Sequence, residues 1–296
     1  VGVPVEGDGA GDGRSSWLRR LPGGPYGSPS GGPSGAPGGP SRGPSGAPGG
    51  VPGTTPTTPA IPGRRVVCFP HAGGAAGWYA PLARLLTPAV DVVAVQYPGR
   101  QDRLSEPPLD SIAALRDAIV PQLLAGAGGW LDRPVALFGH SMGAAVAYEV
   151  ARTLEHDHGR PPRALFASGR RAPSTHRAER VHHGGDAALL REVARLGGTP
   201  PELLDDPDLH DLMLPALRGD YKAIETYAWR PGPEPSCPVW ALVGDDDPSA
   251  TPAQAAAWRP HTSGPFERQV FPGGHFYLAD PAVAAQVAAL VRTALG

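Results

Sequence analysis

The pentapeptide Gly139-His140-Ser141-Met142-Gly143 places a serine between two glycines, a spacing that lets a hydroxyl project from a turn too tight for larger neighbours. A serine attacks an acyl carbon only when a base removes its proton, so a histidine and an acid to orient that histidine are needed too. His275 meets the first need: it lies in the Gly-rich loop Phe271-Pro272-Gly273-Gly274-His275-Phe276, just after the last strand-like stretch, Phe266–Phe271. Asp245, Asp246 and Asp247 follow the run ending at Val243-Gly244, and each is placed to be the acid. In a chain with 41 glycines the serine motif alone carries little weight, since about 0.3 matches would arise by chance.

The elements around the motif give it weight. Val135-Ala136-Leu137-Phe138 reads as a strand ending at the motif, and residues 142–155 read as a helix leaving it. A strand–turn–helix setting is what a nucleophile elbow requires, and the helix N-terminus favours negative charge developing nearby. Further strands are expected at Val66–Phe69, Val90–Val95, Ala164–Ala167, Val239–Val243 and Phe266–Phe271. Helices are expected near 77–87, at 110–125, where Ile112, Leu115, Ile119 and Leu123 share one side, and at 281–295. This alternation predicts an α/β class with a mostly parallel sheet and helices on both faces, and the serine elbow within it resembles that of the α/β-hydrolase fold. In that fold the triad follows the order Ser, acid, His, which Ser141, one of the aspartates and His275 satisfy.

The loop Phe69-Pro70-His71-Ala72-Gly73-Gly74-Ala75 follows the first of these strands, where this fold supplies its second oxyanion donor. Ala72 N–H is the expected donor there, with Met142 N–H, directly after the nucleophile, as the first. Residues 170–236 hold helical stretches without a clear strand and are expected to form a lid. Most of Leu189, Leu190, Val193, Leu196, Leu203, Leu212, Met213, Leu214, Leu217, Ile224, Tyr227 and Trp229 should form its core, with about a quarter of them expected also to line an acyl channel. Among the other histidines, His140 is expected to serve packing or local hydrogen bonding. His261 should lie on a helix end or surface loop, and His182 and His183 on the lid surface.

Residues 1–63 are mostly Gly, Pro, Ser and Ala, and Gly32-Pro33-Ser34-Gly35-Ala36-Pro37-Gly38-Gly39 recurs at 43–50. Such a stretch buries too little apolar surface to offset its ordering entropy, so a disordered tail or linker is expected. Residues 64–296 suit one α/β domain with a lid at about 170–236. The net charge of −2 predicts neither nucleic acid nor an anionic membrane as partner. No signal-type core of roughly 7–15 apolar residues opens the chain and no run of about 18 could span a bilayer, so a cytoplasmic protein without membrane contact is expected. Cys68 and Cys237 sit at strand-like runs and read as buried thiols in a reducing compartment. No His/Cys/Asp cluster has zinc spacing, so no metal is expected.

Taken together, Phe69–Gly74, Gln96-Tyr97-Pro98-Gly99-Arg100, Gly139–Gly143 and Phe271–Phe276 resemble a type II, or editing, thioesterase of polyketide and nonribosomal peptide synthesis. Ser168-Gly169-Arg170-Arg171-Ala172-Pro173 and Gly197-Gly198-Thr199-Pro200 add to the likeness, which runs from about residue 64 to the C-terminus. The resemblance implies hydrolysis of aberrant or stalled acyl groups from the phosphopantetheine arm of acyl or peptidyl carrier proteins. It implies Asp247 as the acid, because the family acid lies three residues past the glycine. It implies no cofactor beyond the substrate's own phosphopantetheine, and a monomer is expected. Arg100 and Arg103 are candidates for touching the pantetheine phosphate or an acidic carrier protein. The competing readings are a carboxylesterase for small lipophilic esters, a fused product-releasing domain and a hydrolase-like binding protein without catalysis.

Overall fold

A computed structural model describes residues 17–22, 63–125, 129–175, 177–199, 204 and 206–296. Its strands are β1 (Leu18–Arg20), β2 (Arg65–Phe69), β3 (Asp91–Val95), β4 (Val135–His140), β5 (Ala164–Ser168), β6 (Val239–Gly244) and β7 (Phe266–Phe271). They form one sheet in the order β1-β3-β2-β4-β5-β6-β7. All neighbours from β3 to β7 pair in parallel. Strands β2 to β5 are buried along their whole length, which explains their continuous apolar runs: helices cover both faces.

The helices are α1 (Ala80–Leu86), α2 (Ile112–Leu124), α3 (Met142–His156), α4 (Asp186–Leu196), α5 (Pro207–Glu225), α6 (Pro252–Ala256) and α7 (Pro281–Leu295). Local chemistry sets their starts. The Ser111 side chain accepts from Ala114 N–H at the head of α2, and Asp280 accepts from Ala282 and Val283 N–H ahead of Pro281 in α7. Alternate strand residues feed two cores: Val67, Phe69, Leu137 and Leu165 pack with α2 and α3, while Val66, Cys68, Phe138 and Phe166 pack with α1 and α7. The six expected strands and the helices at 110–125, 142–155 and 281–295 are all present. The helix expected near 77–87 starts as a 3-10 turn, Ala76–Tyr79, before α1.

Two expectations need correction. The tail expected through residue 63 is interrupted by β1, which runs antiparallel to β3 with Leu18 opposite Val95. Backbone pairing covers the open edge of β3, Leu18 is buried, and the Arg103 guanidinium lies 4.1 Å from the Trp17 ring centre. The repeat and the other residues of 1–62 lie outside the described residues. Between β5 and β6 the insertion carries α4 and α5, but its own cluster is small: Leu189, Leu214, Leu217 and Tyr221, with Leu190 and Val193 at its margin. Leu212 is 47% exposed, while Ile224, Tyr227 and Trp229 pack against the main core instead. Leu203 lies outside the described residues.

Candidate active site

Ser141 stands between the last residue of β4 and the first of α3 with φ 55° and ψ −118°, a costly conformation for a residue with a Cβ. The surroundings enforce it. Ser141 N–H donates to Ser168 O at 2.8 Å, and Ala144 N–H donates back to Ser141 O at 3.0 Å. A Cβ on Gly139 would lie 2.1 Å from Gly143 O, and one on Gly143 would lie 2.0 Å from Phe69 O. Only glycine permits strand, turn and neighbouring loop to approach this closely.

Two strand ends deliver the other groups. His275, in the loop after β7, brings Nε2 to 2.9 Å from Ser141 Oγ. Its Nδ1 lies 2.9 and 3.0 Å from the two oxygens of Asp247, in the turn after β6. Asp247 is buried, and Oδ1 also accepts from Ser249 N–H at 2.8 Å and Ala250 N–H at 3.3 Å, which fixes the carboxylate's orientation. Asp245 and Asp246 are exposed, and Asp245 Oδ1 accepts from Gly273 N–H at 2.8 Å, tying the aspartate turn to the histidine loop. The structure therefore brings Ser141, Asp247 and His275 into one hydrogen-bonded line and leaves the other two aspartates outside it.

Ala72 and Met142 line the same cleft of about 50 Å³ as Ser141 and His275. Met142 opens α3, so its N–H has no acceptor within the helix and faces the end where negative charge is favoured. The insertion roofs the cleft with Glu192, Leu196, Tyr221 and Ile224. Among the described residues no group of three or more His, Cys, Asp or Glu could hold a metal ion.

Behind the line lies an aromatic cluster. The His140 ring stacks on Trp78 at 4.9 Å and lies 5.1 Å from His275; its Nδ1 is 2.8 Å from Ser168 Oγ, which in turn is 2.5 Å from Tyr277 OH. Burial, with His275 and His71 nearby, drives the His140 pKa well below its ordinary value. His71 falls to about 3 by desolvation, helped by His275 and Arg100. Both rings are thus neutral packing elements, the packing and hydrogen-bonding role expected of His140.

Other placements match expectation only in part. His261 closes the 3-10 turn Arg259–His261, a helix end as one of its two expected places had it, but it is buried, with Nε2 2.8 Å from Ser174 Oγ. His182 is half-buried and bonds Glu225 through its backbone and ring; His183 is exposed. Arg100 and Arg103 are 7% and 4% exposed, so neither reaches a phosphate or a partner. Arg100 forks onto Asp220, and Arg103 bonds Glu106 and the Gln96 carbonyl. Asp220 escapes a reading by motif, but it leaves one signal: a lone carboxylate within the apolar stripe Leu217, Tyr221 and Ile224 of α5. Cys68 and Cys237 are free and buried, and burial raises both thiol pKa values.

The sequence profile of the thioesterase domain matches residues 64–294. The chain is 50% identical over 216 residues to the thioesterase PikA5 of Streptomyces venezuelae, covering 73% of this chain and 76% of that protein. It is 51% identical to a probable cadicidin biosynthesis thioesterase of Streptomyces griseus, over 72% of this chain but only 58% of the relative's length. The solved structure of the type II thioesterase BorB, from the borrelidin biosynthetic cluster, superposes with a TM-score of 0.72 at 46% identity, covering 82% of this chain and 96% of that one.

Proposed function

The chain belongs to the thioesterase domain family, and from that premise we propose that it clears aberrant or stalled acyl groups from phosphopantetheinyl carrier proteins of a polyketide or nonribosomal peptide pathway. The observation that carries the reading is the continuous line from Ser141 Oγ through His275 to Asp247, opening into a cleft that Ala72 and Met142 share. Ser141 attacks the thioester carbonyl as His275 Nε2 takes its proton, and Asp247 holds the imidazole in the tautomer that accepts it. The oxyanion sits against the N–H groups of Ala72 and Met142, each worth roughly 3–4 kcal/mol by analogy with other acyl-transfer sites. Collapse breaks the C–S bond, and the pantetheine thiolate leaves with the proton from His275. The imidazole then draws a proton from water, which attacks the acyl-serine, and the acid departs as Ser141 regains its hydrogen.

No step in this scheme calls on a cofactor. Among the described residues no helix is long and apolar enough to cross a membrane, which fits action in the cytoplasm beside the synthase.

The test compares hydrolysis of short-chain acyl-carrier protein, acyl-CoA and p-nitrophenyl esters by wild type and Ser141→Ala. Wild type should release the carrier-bound acyl group, and Ser141→Ala should fall by at least about 10⁴-fold. Simple esters cleaved while carrier-bound thioesters stay intact would replace the reading with a carboxylesterase. Undiminished turnover by Ser141→Ala would end the mechanism.

A further inference from the structure

Arg100 and Asp220 lie 120 residues apart in sequence yet meet in the interior, with relative exposures of 7% and 0%. Arg100 Nη1 donates to Asp220 Oδ2 at 2.7 Å and Nη2 donates to Oδ1 at 2.9 Å. Buried pairs of this kind gain little stability over well-packed apolar residues, so what else they bond is informative. Asp220 Oδ2 also accepts from Gly73 N–H at 2.7 Å, and Arg100 Nη1 donates to Gly74 O at 3.1 Å. The pair thus holds both ends of the Gly73-Gly74 dipeptide, and Gly73 N–H belongs to the peptide plane that Ala72 begins.

Two contacts tighten this link. Gly73 has φ +75°, and a Cβ there would lie 2.9 Å from Leu217 Cδ1, so α5 presses directly on the loop. At the loop's start Tyr97 OH donates to Pro70 O at 3.3 Å, and the Arg100 guanidinium lies 5.3 Å from the Tyr97 ring centre. Tyr97 and Arg100 come from the Tyr-Pro-Gly-Arg turn after β3, whereas Asp220 and Leu217 come from the insertion.

We propose that Asp220 and Arg100 are positioning residues that lock the oxyanion loop to α5, so that the seating of this helix sets how well Ala72 N–H meets the oxyanion. The idea rests on Ser141 as nucleophile and Ala72 as donor. It makes the insertion part of the catalytic geometry as well as a cover over the substrate. Loosening the loop weakens a contact made in the transition state, so the loss falls on kcat with little change in KM. It is also the same for every acyl chain, which a role in substrate fit would not give.

The experiment measures Tm, kcat and KM for wild type, Ser141→Ala, the apolar pair Arg100→Met with Asp220→Leu, and Arg100→Lys, on p-nitrophenyl esters of two chain lengths. The apolar pair avoids leaving a lone buried charge and should melt within about 5 °C of wild type. Its kcat should fall about 10- to 100-fold on both esters, with KM within about threefold. A folded double variant with wild-type kcat, or a loss confined to KM, overturns the proposal. Arg100→Lys keeps a cation beside Asp220 but loses the fork, and it decides the matter if the double variant is not recovered folded. A kcat loss of about fivefold or more at unchanged KM supports the proposal, and wild-type kcat overturns it. Activity persisting in Ser141→Ala would instead strike the nucleophile assignment, whereas an inactive Ser141→Ala beside a fully active double variant would strike only the coupling.

Discussion

The sheet edge that carries the elbow and the insertion that roofs it are built to different standards. Behind Ser141, the residues Ala144, Ala145, Val146, Ala147 and Tyr148 of α3 are each at most 3% exposed, packed on strands buried along both faces. In α4, by contrast, only Leu189 is buried, with Leu190 and Val193 half-buried beside it, and its ion pairs, Arg195 with Glu192 inside the helix and Asp186 with Arg218 of α5, lie at the surface. Pairs of that kind contribute about 0–1 kcal/mol each. The groups that must stay within a hydrogen bond of one another rest on dense packing, while the part that must admit a substrate has a thin core and a low cost of opening. Asp220 is where the second region reaches into the first.

The strongest way to break this contrast is at the aspartate turn. Asp247→Asn should lower kcat/KM by about 10³- to 10⁴-fold, because an amide favours the wrong imidazole tautomer. Asp245→Asn should cost less than about tenfold, since Asp245 is exposed and only ties one loop to another. Steady-state kinetics on one ester decides it, and the reverse ranking would mean that exposure does not mark the division. A smaller effect comes from one substitution made twice. Leu137 in β4 and Leu189 in α4 are both 0% exposed. Leu137→Ala should destabilise the whole domain by about 3–5 kcal/mol. Leu189→Ala should cost global stability about 1–2 kcal/mol, with faster amide exchange confined to α4 and α5. Equal losses with exchange rising throughout would show one cooperative unit.

The same contrast explains what the sequence made legible. The central strands β2 to β5 are buried apolar runs between turn residues and are legible for that reason, whereas the edge strand β7, with Glu267-Arg268-Gln269 at its middle, keeps its expected bounds, Phe266–Phe271, through its apolar ends. Ser141, Asp247 and His275 sit at strand ends whose order the fold dictates. The edge strand β1 escapes such a reading because three residues carry no period, and Leu18 is its only apolar member. Arg100 looks like a surface cation because its partner, Asp220, is distant in sequence, and Arg103 because its near carboxylate, Glu106, is compatible with a surface pair while the Gln96 carbonyl and the Trp17 ring that bury it leave no pattern. Tyr227 and Trp229 share the apolar content of the insertion, yet they follow α5 in an extended stretch that returns to the main core. Apolar content announces burial without saying against what.

The smallest expected effect lies at the seam of the two regions, at His261. Its Nε2 is 2.8 Å from Ser174 Oγ and its Nδ1 is 3.3 Å from Tyr148 OH, while its ring meets Trp229 edge-on at 5.1 Å. Glu234 Oε1 lies 3.7 Å away. Desolvation, aided by Arg152, lowers the His261 pKa from 6.5 to about 4. Between those values the unfolded chain takes up a proton that the folded chain refuses, so stability is intact above pH 6.5 and is lost as pH falls toward 4. Burial raises the pKa of Glu234, which acts in the opposite direction, so only a difference between variants isolates the histidine. His261→Gln keeps a polar group of similar reach without titrating. Its fall in Tm from pH 7 to 4.5 should be about 2–4 °C smaller than that of wild type. Parallel Tm curves would show that the seam already admits water at His261, and that the insertion is joined to the sheet more loosely than the packing around Tyr148 and Trp229 implies.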